Sequence, residues 1–240
     1  MDRHTRKELK TDKFAQGVGT GVEYVAHHRG QLIRWTAIGL AVVAIVAGTW
    51  LYRSHQATQR ADLLTKAMQI DDATIGPPQP PRLTFATFEE KEKARIAAFT
   101  DVATKYPGSQ EGAIAQLAVA AAQADEGHVD DALKTFKSII DSAPAPYASV
   151  AQLSTAQIYA SQGKTADSEK LLRQLIDKPT VFVSKDQATL ELAQLLAKSN
   201  PAEARKLVTP LSASPRTAVS RAAVSVLGQI TATPTPAQAN

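Results

Sequence analysis

The residues in this chain whose types could do chemistry are five histidines, two Asp-Asp pairs and a run of alternating glycines. His27 and His28 are neighbours, so on a helix they point to different faces and do not share a metal ion. His4, His55 and His128 have no acid at ligand spacing, and the chain has no cysteine. Asp71-Asp72 abuts a proline-rich stretch. Asp130-Asp131 stands where a helix pattern begins, and there carboxylates are favoured by the positive end of the helix dipole. Gly17, Gly19 and Gly21 form GVGTG, but no strand pattern precedes them and no Lys-Ser or Lys-Thr follows, so neither nucleotide-binding fingerprint is met. No Gly-x-Ser-x-Gly elbow occurs, and the scattered histidines assemble no Ser/His/Asp set. The expectation is a chain without catalytic residues, cofactor or metal, one that binds rather than catalyses.

Charge narrows what it binds. Residues 1–34 hold seven bases (Arg3, Arg6, Lys7, Lys10, Lys13, Arg29, Arg34) against four acids (Asp2, Glu8, Asp12, Glu23), whereas the rest of the chain holds 20 bases and 19 acids. The net charge of +4 therefore belongs mostly to the N-terminal segment. Nucleic-acid binding by the larger part gains no support, because a basic stripe is its minimum requirement.

The elements that organise the chain begin with residues 35–52, eighteen positions without a charge between Arg34 and Arg53. As a helix this stretch spans about 27 Å, close to the roughly 30 Å hydrocarbon thickness of a bilayer. Trp35 at one end and Trp50 and Tyr52 at the other suit the two interfaces, and Arg34 and Arg53 can extend their heads to water. A buried core helix is seldom so uncharged and aromatic at both ends. A cleaved signal peptide has a shorter apolar region behind a short basic start, whereas here 34 residues come first. The reading is a transmembrane helix with the basic N-terminal segment (1–34) in the cytoplasm and the larger part outside, although Arg53, Arg60 and Lys66 dilute the charge asymmetry. Residues 53–70, with Ala57, Ala61, Leu64, Ala67 and Met68 at helical spacing, continue the helix as a juxtamembrane segment. Four prolines between Pro77 and Pro81 make 71–82 a proline-rich linker or large loop, and residues 231–240 read as a disordered tail.

Residues 83–230 carry a countable repeat. Gly127 and Gly163 lie 36 residues apart, and Asp131, Ala132, Phe136, Ile139, Ile140 and Asp141 align at that offset with Asp167, Ser168, Leu172, Leu175, Ile176 and Asp177. A further 36 residues on stand Glu203, Ala204, Val208 and Leu211. The pattern predicts three helix-turn-helix units near 113–146, 149–182 and 185–215, preceded at 88–106 by a second helix of an incomplete unit. Ser184 with Gln187, and Asn200-Pro201 with Glu203, read as helix N-terminal boxes. Ser214-Pro215 opens a last helix with the stripe Ala218, Ala222, Val226 and Ile230, suited to seal an open stack. The expected fold class is all-α: one transmembrane helix followed by an α-solenoid.

Ala120, Gly127, Ala132, Phe136 and Pro144, then Ala156, Tyr159, Gly163 and Leu172, stand where tetratricopeptide repeats place small, turn, small, aromatic and proline residues, so these units resemble that family. They depart from it in a period of 36 rather than 34, in Ser168 where alanine is usual, and in lacking an early tryptophan. The order of parts, with the run from Trp50 to Gln56 beyond the span and Ala-rich repeats after it, is similar to the YfgM-like family of ancillary SecYEG translocon subunits. That resemblance implies a single-pass protein of the bacterial inner membrane whose repeats face the periplasm. It also implies as partners the translocon, periplasmic chaperones or emerging chains. The resemblance to the repeats implies that the first helix of each unit lines a concave surface, which carries over to Ile114, Leu117 and Ala121, then Val150, Leu153 and Gln157, then Asp186, Thr189 and Ala193. No Lys or Arg lies among them, so an apolar segment or a partner helix fits better than a terminal carboxylate. Alternatively, residues 53–70 or 88–106 pack back over the same positions. Three functional classes follow: a translocon-associated subunit, a scaffold for envelope or division assemblies, and a membrane-tethered enzyme without a recognisable motif. The oligomeric state is left open.

Overall fold

The computed structural model describes residues 29–232 other than 79, and within them the regular structure is helical apart from one short strand pair. The glycine run, His4, His27, His28, most of the basic N-terminal segment and most of the tail lie outside the described residues. The helices are α1 (Arg29–Asp71), α2 (Phe88–Lys105), α3 (Gln110–Asp125), α4 (Val129–Ser142), α5 (Ala145–Ser161), α6 (Thr165–Asp177), α7 (Lys185–Leu196), α8 (Pro201–Ser212) and α9 (Thr217–Ala232). Two compact units divide the chain, Met1–Gln59 and Arg60–Asn240, with the boundary inside α1.

In the first unit, α1 is long and apolar enough to cross a membrane, and its apolar window is unburied. Trp35, Leu40 and Trp50 are about 70% exposed, at 71%, 71% and 68%. Arg34, Tyr52 and Arg53 are exposed as well. Thr49 spends its hydroxyl on the carbonyls of Ile45 (2.8 Å) and Val46 (2.9 Å), so it presents no unsatisfied donor to an apolar surrounding.

In the second unit, the C-terminal end of α1 packs through Leu64 and Ala67 against Phe99 and Val102 of α2 and Ala115 of α3. Leu63 joins them, while Ala61 and Met68 face outward, so the buried stripe differs from the one expected. Arg95 of α2 bonds Glu92 and reaches Asp71, the last residue of α1, at 3.5 Å. The guanidinium holds the Glu92 carboxyl below its usual range. The proline-rich segment that follows α1 is closed at its base, because Thr74–Ile75 (β1) pairs in parallel with Thr84–Phe85 (β2).

From α2 onward each helix packs on its chain neighbours, as expected when helix pairs are joined by short turns. The turns repeat. Gly127 closes α3 at φ 83° with the amide of His128 on the carbonyl of Gln123 (2.7 Å), and Gly163 closes α5 at φ 73° with Lys164 on Tyr159 (2.8 Å). Both use the left-handed conformation that glycine adopts without a Cβ penalty. Gly112 is required for space instead: a Cβ there would stand 2.0 Å from the Tyr106 carbonyl oxygen at the α2–α3 turn. Half of each expected box forms, with Ser184 accepting from Gln187 N at 3.2 Å and Asn200 from Glu203 N at 3.3 Å, while the Glu203 carboxylate accepts from the Asn200 side-chain amide (2.8 Å) rather than from its backbone. Ser214 instead makes a turn to Arg216 N (3.3 Å), and the last helix starts two residues after Pro215. Its buried face is Ala223, Val226 and Ile230, with Ala218 exposed.

The 36-residue period reappears as burial. Ala132, Ser168 and Ala204 are each 0% exposed, and Phe136, Leu172 and Val208 are buried one turn further on. Ser168 is tolerated at the small position because its hydroxyl donates to the carbonyl of Ala156 at 2.7 Å. Truncating Phe136 to alanine leaves a cavity among Ala120, Ala132, Ile139 and Ala151, and is expected to cost about 3–5 kcal/mol by thermal or denaturant unfolding. Gly112→Ala is expected to cost about 1–3 kcal/mol through overpacking. Gly48→Ala, which meets open space, should leave the transition unmoved, and an equal response of both glycine variants would contradict the packing at the α2–α3 turn.

Candidate functional site

The nine first-helix positions do not form one open lining. Leu153 (7%) and Ala193 (0%) belong to the core that runs through α5–α9. Val150 packs half-buried against that core, Leu117 against the Phe136 core, and Ile114 against the cluster that contains Leu64, Ala67, Phe99 and Val102. At the first unit, therefore, residues of both the 53–70 and the 88–106 segments pack in the cluster that covers Ile114. Ala121 and Gln157 are exposed, and Gln157 donates to Glu191 at 3.1 Å. Thr189 is buried with its hydroxyl on the Lys185 carbonyl (2.8 Å), and Asp186 is ion-paired with Arg216.

Concavities gather a different set of residues. Gln157 lines a 260 Å³ hollow with Ala156, Leu172 and Glu191. Asp186 and Thr189 line a larger cleft of about 820 Å³ along α8, floored by Ile176, Leu207 and Leu211. The second-helix residues of this cleft escape a reading based on first helices. The signal that marks them is Pro210, which stands inside α8 at the register where α6 has Gln174.

The residues considered for chemistry stay apart. No group of three His, Asp or Glu side chains suited to a metal occurs among the described residues. His55 shares a hydrogen bond with Gln59 (3.0 Å) along α1, and His128 is exposed beside Glu126. Asp130 and Asp131 lie in the first turn of α4, and Asp131 pairs with Lys134 at 2.9 Å. Asp71 ends α1, where the helix dipole disfavours a carboxylate and Arg95 offsets it.

No protein-family model, curated protein or solved structure matches the chain.

Proposed function

We propose that this chain is a membrane-anchored protein-interaction module: α1 crosses the membrane with the N-terminal segment in the cytoplasm, and helix pairs of the tetratricopeptide type form a solenoid that holds partner proteins outside it. The observation that carries the reading is the exposure of the whole apolar run from Trp35 to Tyr52 on a chain whose other helices bury their apolar faces against neighbours. Leaving such a run in water is costly at about 25 cal/mol per Å², and lipid removes that cost. The chain-neighbour packing, the two matching glycine caps and the small residues buried at a 36-residue period support a solenoid of repeats. Stacks of this kind leave extended faces for protein ligands.

Within this class, the order of parts supports an ancillary subunit of the SecYEG translocon in the bacterial inner membrane, with its repeats in the periplasm near chaperones or emerging chains. A photo-crosslinking residue placed at Ala121 or Gln157, both exposed on first helices, is expected to give adducts with translocon subunits or chains in transit. The same residue at Lys137 or Arg205, exposed on second helices, should give far fewer. Adducts with division or envelope-assembly proteins at Ala121 and Gln157 would move the chain to the scaffold class, and equal yields at all four sites would remove the first-helix face as the partner surface.

A further inference from the structure

The cleft along α8 has a counterpart one repeat earlier, and the difference between the two points to a ligand. The earlier cleft, of 430 Å³, is lined by Ile140, Ser149, Gln152, Gln174 and Leu175 among others. The later one has Ile176, Lys185, Pro210 and Leu211 at the positions 36 residues on from Ile140, Ser149, Gln174 and Leu175. In the earlier cleft Gln152 donates to the Gln174 side chain at 2.7 Å and bridges the walls. At the equivalent places stand Ala188, which is fully buried, and Pro210, so the bridge cannot form and the cleft reaches about 820 Å³. That size lies within the range of about 300–1,000 Å³ of ligand pockets.

The lining has a definite charge. Its two acids are neutralised within the fold, Asp186 by Arg216 and Glu203 by Arg173 at 2.6 Å. Glu203 and Glu169, both bonded to Arg173, hold its guanidinium above its ordinary range. Lys185 and Lys206 are exposed and pair with no acid among the described residues. A floor of Ile176, Leu207 and Leu211 thus carries two free ammonium groups at its rim. Pro210 has no amide hydrogen to give the carbonyl of Lys206 four residues before it, which takes away that carbonyl's usual helix donor.

We propose that this cleft docks a short peptide segment in which an aliphatic or aromatic side chain stands next to a carboxylate. The apolar side chain covers the leucine and isoleucine floor, the carboxylate meets Lys185 and Lys206, and a peptide N–H meets the Lys206 carbonyl. A fatty acid shares the first two features and lacks the third, so the backbone acceptor favours the peptide. The site lies on α6, α7 and α8 and is separate from the exposed first-helix positions Ala121 and Gln157.

The test uses the whole chain in lipid nanodiscs against a positional-scanning library of acetylated, amidated hexapeptides, with laurate as a second probe. The expected selection couples Leu, Ile or Phe to Asp or Glu within two residues. Affinity for the selected peptides should fall about tenfold in Lys185→Glu/Lys206→Glu, because two rim attractions become repulsions. It should also fall in Ala202→Trp, which fills the cleft from an exposed position, and hold in Ala121→Arg/Gln157→Arg. Lys185→Gln/Lys206→Gln, which adds no negative charge, gives the same readout should the reversal disturb the fold. Selection without acidic residues, binding unmoved by the lysine and tryptophan variants, or laurate binding with no peptide selected would each overturn the proposal. Failure of translocon crosslinking at Ala121 and Gln157 would leave it standing.

Discussion

Ala132, Ser168 and Ala204 set the distance at which α4, α6 and α8 approach the helices they pack on, and the rest of the second unit depends on that distance. With a small side chain at the crossing, the next buried residue along each helix, Phe136, Leu172 or Val208, reaches into the gap beyond it. A larger residue would hold the helices apart and strand those side chains over a void. Serine is compatible because the neighbouring helix supplies a carbonyl for its hydroxyl. Upstream, Phe99 and Val102 precede Phe136 and Ile139 by 37 residues, and the same spacing puts Arg95 in the small position. Arginine serves there by reaching the end of α1, so the C-terminal end of α1 and α2 are joined by an ion pair as well as by packing.

These crossings were legible in the sequence because a repeat writes the same steric demand several times. The 36-residue offset located Gly127 and Gly163, the small positions and the helix pairs, and the boxes at Ser184 and Asn200 followed from local side-chain chemistry. Legibility stopped where the partner of a residue lies in another element. Ala57, Ala61 and Met68 shared helical spacing with Leu64 and Ala67, yet which side of α1 is covered is decided by α2 and α3. The resemblance to the repeats implies one surface for the first-helix positions, but Leu153 and Ala193 are core, and Ile114 sits in a cluster supplied partly by α1 and α2. Of the cleft along α8, the first-helix positions include Asp186 and Thr189 but miss the second-helix wall, because the cleft arises from an absence, a glutamine pair present in one repeat and replaced by alanine and proline in the next.

The two units differ in how they meet their surroundings. Beyond residue 60 the apolar side chains find one another across neighbouring helices, and polar groups at the crossings are bonded within the stack. Along residues 35–52 the helix satisfies its backbone internally and exposes apolar side chains along its length. Such a helix is suited to a solvent without hydrogen-bonding capacity. The proposed anchoring of such a helix would tether the second unit to the membrane and raise its local concentration there.

The chain contains no cysteine, so single cysteines report their own surroundings without background. The most direct measurement of the anchored arrangement is labelling of Thr11→Cys, Ala44→Cys and Ala121→Cys, one at a time, with a membrane-impermeant maleimide in bacterial cells whose outer membrane alone has been opened. The account predicts that Ala121→Cys reacts at once, that Thr11→Cys reacts after the inner membrane is also permeabilised, and that Ala44→Cys stays unreactive until the bilayer is dissolved. Prompt labelling of Ala44→Cys in intact membranes, or labelling of Thr11→Cys ahead of Ala121→Cys, would contradict it.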